Sequence, residues 1–148
     1  MTAGWGRVGL GVTLALGLSA CGSQGGLRSP GALDELTPDQ IFVRGEQALD
    51  RGREDDAAFY FAEIERLYPY SEGAPPGLIM AAFAFRRDRD YENARAAAQR
   101  YLDFYPAEED AAYAQYLLAL SYYDQIDDIG RDQGLTFQAL QALRTVIE

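Results

Sequence analysis

Residues 37–70 read TPDQIFVRGEQALDRGREDDAAFYFAEIERLYPY, and this stretch decides the fold. Its small and apolar residues fall at Ile41, Gly45 and Ala48, then at Ala57 and Phe61, before Pro69 closes the segment. Steps of three and four follow the helical period, not the two-residue period of a strand. Thr37, Pro38 and Gln40 form a helix start. Threonine is the N-cap, proline takes the first helical position, glutamine answers the cap, and Leu36 opposite Ile41 can act as a hydrophobic staple. A second copy follows 37 residues on, with Leu78, Ala82 and Phe85, then Ala94, Ala98 and Pro106. The tyrosine before each proline recurs as Tyr68 and Tyr105. A third copy holds Leu118-Ala119-x2-Tyr122, and its second helix arrives late as Ala139-x3-Leu143. The delay implies an insertion of about eight residues within Asp124–Gly134 and a last helix from Thr136 to Glu148.

The spacing from Gly45 through Ala57 and Phe61 to Pro69 resembles the tetratricopeptide repeat (TPR), whose pattern sets a small residue in each helix and a proline after the second. The fold class expected is therefore all-α, a TPR superhelix of about three helix-turn-helix repeats over residues 37–74, 75–111 and 112–148. Small residues at the Gly45 and Ala57 positions let paired helices approach closely, while Phe61, Phe85 and Tyr122 fill the space between pairs. Each hairpin leaves an apolar side for the next to cover. The last helix runs to the end of the sequence without a capping helix, so further C-terminal repeats are expected.

Composition removes most chemistries. The 148 residues are 48% hydrophobic and carry 13 basic against 23 acidic side chains, for a net charge of −10. All the basic residues are arginine, and there is no histidine and one cysteine. A chain this acidic lacks the basic face of a phosphate binder, so nucleic acid is not an expected partner. Without histidine there is no Ser-His-Asp or Cys-His pair, and a lone cysteine gives neither a zinc site nor a disulfide framework. No metal or cofactor is expected.

The N-terminus reads as an address. Arg7 precedes the uncharged apolar run Val8–Leu18, which has signal-peptide length and is too short to span a bilayer. Leu18-Ser19-Ala20-Cys21 resembles the lipobox of bacterial lipoproteins, which implies removal of residues 1–20 and a covalent lipid on Cys21. Residues 21–36 then form a lipidated tether rich in Gly, Ser and Pro. Several acyl chains together make attachment lasting. Gly22 stands where many inner-membrane lipoproteins carry aspartate, so by that resemblance the destination is the periplasmic face of the outer membrane.

Tyr68-Pro69-Tyr70-Ser71, Phe104-Tyr105-Pro106, Tyr113-Ala-Gln-Tyr116, Leu120-Ser-Tyr-Tyr-Asp-Gln125 and Arg131-Asp132-Gln133 together resemble the BamD (ComL) family over Cys21–Glu148. That family is the lipoprotein subunit of the outer-membrane β-barrel assembly (BAM) machinery, and the Asp-Gln-Ile and Arg-Asp-Gln stretches most resemble alphaproteobacterial versions. The resemblance implies a non-catalytic scaffold whose partners are a BamA-type insertase, other BAM subunits and unfolded outer-membrane proteins. About two C-terminal repeats of the family pattern are absent, and Gly73-Ala-Pro-Pro76 partly replaces its small residues.

In TPR arrays the first helix of each pair lines a groove. Alignment gives Asp39, Phe42, Glu46, Leu49 and Asp50, then Pro76, Ile79, Phe83, Arg86 and Arg87, then Tyr113, Tyr116, Leu120, Tyr123 and Asp124. The candidate peptide-binding residues are Phe42, Glu46, Ile79, Phe83, Arg86, Arg87, Tyr113, Tyr116 and Tyr123: aromatics to stack with a β-strand peptide, and arginines to take its terminal carboxylate. The competing reading is that the aromatics pack between helices and that Arg86–Asp90 is a solvated turn of local ion pairs. Asp124, Asp127, Asp128, Arg131 and Asp132 form a candidate partner-contact loop. Their spacing fails the EF-hand rule, because Ile126 stands where a calcium ligand belongs. Two alternatives come from other directions. One is another periplasmic TPR lipoprotein, a pilotin or a cell-wall coordinator. The other is a lytic enzyme using a carboxylate such as Glu63, Glu65, Glu108 or Glu109, although adjacent helical carboxylates point apart.

Overall fold

The computed structural model describes residues 32–126 and 133–147. The signal peptide, Cys21 and the tether up to residue 31 lie outside them, as do Asp127, Asp128, Arg131 and Asp132. The described residues form six helices: α1 (Pro38–Asp50), α2 (Glu54–Leu67), α3 (Ala74–Arg87), α4 (Tyr91–Phe104), α5 (Ala111–Tyr123) and α6 (Gln133–Ile147). Each packs on the next in chain order, giving three stacked antiparallel hairpins.

The start of α1 uses the cap its sequence offers. Thr37 Oγ1 accepts from Gln40 N at 3.3 Å, and Gln40 Oε1 accepts from Thr37 N at 3.0 Å, a reciprocal box that satisfies two orphan amides. Ile41, Gly45 and Ala48 are the buried positions of α1. They meet Ala57, Ala58, Tyr60, Phe61 and Ile64 of α2 in the core. Gly45 is small because a Cβ there would lie 2.6 Å from Cε1 and Cζ of the fully buried Phe61 ring.

The first two hairpins turn alike. The α1–α2 turn holds Gly52 at φ +65°, and 37 residues later the α3–α4 turn holds Arg89 at φ 64°. Both sit in the left-handed region that closes a helix C-terminus. The third connection departs from this pattern: nine residues, 124–132, separate α5 from α6, against three in each earlier turn. Helix α6 also begins at Gln133, three residues ahead of the Thr136 expected from sequence. Gly134 reads as a loop residue, but in a first helical turn the amides have no intrahelical partner to lose, so the helix extends through it.

Each repeat is tied to the one before by its closing tyrosine. Tyr68 Oη donates to the carbonyl of Leu36 at 2.5 Å, and Tyr105 Oη donates to the carbonyl of Pro69 at 3.4 Å. These bonds explain why tyrosine precedes both prolines. Helix α1 also packs on α3, and α3 on α5, whereas no comparable packing joins α2 to α4 or α4 to α6. The stack is therefore tighter on the side of α1, α3 and α5, which is the inner side of its curve.

Candidate functional site

Helix α5, AAYAQYLLALSYY, is apolar almost all round, which normally marks a helix covered on every side. Its neighbours are α3, α4 and α6. Ala114, Leu117, Leu118 and Ala119 are buried against them. The remaining side carries Tyr113, Tyr116 and Tyr123, which stay 40%, 41% and 58% exposed. Steps of three and seven place the three rings on one stripe of the helix. The Tyr113 and Tyr116 rings lie 6.4 Å apart, tilted by 34°.

The other candidate residues divide between this inner face and the core. Phe42 and Phe83 are half-buried against the core, and Phe42 meets Phe61 edge-on with ring centroids 5.1 Å apart. Glu46 is exposed. Ile79 is a core residue, 6% exposed, so its side chain packs within the protein and offers no surface to a ligand.

Arg86 and Arg87 are engaged already. Arg86 donates to Asp124 at 2.6 Å, joining the end of α3 to the end of α5. Arg87 donates to Glu54 at 2.8 Å and lies 5.7 Å from the Phe83 ring centroid. The turn is thus laced by ion pairs, but these two reach across to other repeats and are not local.

The stretch Leu120–Gln125 acts mainly as a joint. Ser121 is buried, and its carbonyl accepts from Arg95 Nη1 at 3.3 Å and Gln125 Nε2 at 2.7 Å, which satisfies the end of α5. The Arg95 guanidinium also stacks over Tyr122, 4.9 Å from the ring centroid. A serine, an aromatic, an acid and an amide each have a separate task in fixing the third repeat to the second.

Carboxylates considered for glycan cleavage are matched by arginine. Glu63 takes a bidentate grip from Arg66, which raises the Arg66 pKa. Glu65 accepts from Arg100 of α4. A general acid for that chemistry instead sits in an apolar pocket. Among the described residues no helix is long and apolar enough to cross a membrane.

Sequence reading passed over a hollow of about 380 Å³ on α1, lined by Asp39, Gln40, Val43, Arg44 and Gln47. Val43 is the signal that marks it, an apolar residue outside the Ile41, Gly45 and Ala48 stripe. Gly77 was likewise passed over: a Cβ there would meet Ile64 Cβ and the Phe61 carbonyl, each at 3.2 Å.

Comparison with known proteins sets this geometry in a family. The family model described as YfiO, outer membrane lipoprotein, matches residues 34–148. The outer membrane protein assembly factor BamD of Caulobacter vibrioides is 38% identical over 131 residues, 88% of this chain and 43% of that protein. BamD of Rickettsia prowazekii is 34% identical over 107 residues, 72% of this chain and 43% of its own length. BamD of Neisseria meningitidis serogroup A is 24% identical over 120 residues, covering 80% and 45%. The chain spans less than half the length of these curated relatives. With three stacked helical hairpins and a family match that begins three residues before its first capped helix, this chain belongs to the YfiO/BamD family of outer membrane lipoproteins.

Proposed function

We propose that the chain serves outer-membrane protein assembly without catalysis. It is held at the periplasmic face of the outer membrane by lipid on Cys21. The inner face of the array receives extended segments of unfolded β-barrel proteins, and other surfaces meet a BamA-type insertase and further assembly subunits. The observation that carries this reading is the tyrosine stripe on α5. Side chains on one face of a β-strand recur about every 6.6 Å. The Tyr113 and Tyr116 rings are 6.4 Å apart, so alternate aromatics of an extended strand meet them in register.

Stacked aromatic pairs contribute about 0.5–1.5 kcal/mol each beyond area burial. Three such contacts give an affinity weak enough for a substrate to be passed on. Arg86 and Arg87 enter as reserve groups, because a terminal carboxylate gains either one only by displacing Asp124 or Glu54. Asp124, at the end of the same stripe, leads into the loop read as a partner contact.

Site-specific photo-crosslinking in cells assembling an outer-membrane barrel protein tests this. A benzophenone side chain at Tyr116 or Tyr123 is expected to capture the unfolded substrate. The same group at Glu92, exposed at the start of α4, is expected to capture none. Equal capture from both sides overturns the assignment of the face.

A further inference from the structure

A second aromatic surface lies on the other side of the array, where α2 and α4 end. Pro69, Tyr70, Phe104 and Tyr105, with Glu65, line a cleft of about 330 Å³. Tyr70 is fully exposed and Phe104 is 67% exposed. Neither ring is needed by the repeat, since Tyr68 and Tyr105 already make the inter-repeat bonds. Nor is Tyr70 carried by a loose loop: Ser71 N and Ser71 Oγ both donate to the Tyr68 carbonyl, at 3.0 and 2.8 Å. A large ring held out by an ordered turn is the composition and geometry of a contact surface.

The charge around the cleft is one-sided. The segment Asp103–Asp110, DFYPAEED, carries four carboxylates and no arginine, and all four are exposed. The turn Glu108 N to Tyr105 O, 3.2 Å, folds this segment back towards the cleft-lining Tyr105. Glu65 within the cleft is neutralised by Arg100, so the negative field comes from the rim. Burial first, then the charges of Asp110 and Glu108, raise the pKa of Tyr101, whose ring lies 5.5 Å from that of Tyr105.

We infer that the Tyr70–Phe104 cleft docks an extended, arginine- or lysine-bearing segment of a partner protein, its cations over the two rings and its charges opposite the Asp103–Asp110 carboxylates. Aromatic faces attract cations, and desolvation in a cleft strengthens the contact. Proline beside the rings adds a flat apolar wall against which the aliphatic stem of an arginine or lysine lies. This surface is formed by the even-numbered helices and is independent of the tyrosine stripe on α5.

The test uses the full chain in detergent and a fluorescein-labelled peptide of alternating arginine and proline, followed by anisotropy. Binding is expected to weaken about tenfold in the double variant Tyr70→Ala/Phe104→Ala, which leaves every charge in place. It is also expected to weaken in Glu108→Lys/Glu109→Lys and with added salt. A glutamate-for-arginine peptide is expected not to bind. The exposed positions leave the fold intact, checked by circular dichroism, and Tyr116→Ala is expected to bind the basic peptide as wild type does. Unchanged affinity in the Tyr70/Phe104 variant overturns the inference by reducing the binding to general attraction by an acidic protein, and so does equal binding of the glutamate peptide.

Discussion

Two glycine-type positions show how single residues set the geometry of the array. At Gly45 the constraint is space. Alanine there must push a methyl group against the Phe61 ring, whose atoms would lie 2.6 Å away. Overpacking of this kind costs about 1–3 kcal/mol. Gly45→Ala is therefore expected to lower the urea midpoint, and Gly45→Ala/Phe61→Leu to lose less than the sum of its single changes, because the two sites share one contact. At Arg89 the constraint is backbone shape. Gly52 and Arg89 occupy equivalent turns with φ of 65° and 64°, yet only one is glycine. Arg89→Gly is expected to raise stability by about 0.5–1 kcal/mol in the same denaturation assay. The first constraint was legible in the sequence, because a small residue opposite a phenylalanine at repeat spacing implies close approach. The second was not, since arginine carries no signal for a left-handed turn and only the 37-residue register aligns it with Gly52.

At the scale of elements, hydrogen bonds and packing between hairpins decide how firmly one repeat holds the next. Tyr68→Phe removes a short bond that spans 32 residues, and a loss of about 1 kcal/mol is expected. Tyr105→Phe is expected to cost less, since its bond is long at 3.4 Å. Thermal melts of the two variants distinguish them, and a larger loss at Tyr105 would contradict the ordering. Tyr101 adds a pH dependence. Its hydroxyl, raised above the ordinary 10.0 by burial and then by Asp110 and Glu108, holds its proton more tightly in the folded chain. That contribution is complete below the unfolded value and is lost as pH rises through the folded one. Wild type is expected to lose stability between about pH 9 and about pH 11, and Tyr101→Phe to lose less, by urea midpoints at both. Equal losses would remove Tyr101 as the source.

Across the whole molecule, the helical hairpins and their order could be read from periodicity, because small and aromatic residues at fixed intervals admit few other packings. The inner face could be read only in part. Template positions located Tyr113, Tyr116 and Tyr123 on a common stripe, but the same arithmetic included Ile79, which a slight rotation of α3 turns into the core. It also set out Arg86 and Arg87 as available cations. Their partners Asp124 and Glu54 lie 38 and 33 residues away, a distance over which sequence pattern carries no pairing signal. The acceptor on the inner face is thus aromatic first and cationic only after exchange.

The central claim, that the α5 tyrosine stripe recognises the aromatic strand of an unfolded barrel protein, is tested most directly by one binding measurement. A fluorescent peptide copying the last strand of an outer-membrane barrel protein is titrated with the full chain and with Tyr113→Ala/Tyr116→Ala/Tyr123→Ala. Saturable binding that weakens about tenfold or more in the variant, and falls when the peptide's aromatic residues are replaced by alanine, is the result expected. Equal affinity of wild type and variant, with both folded, would contradict it.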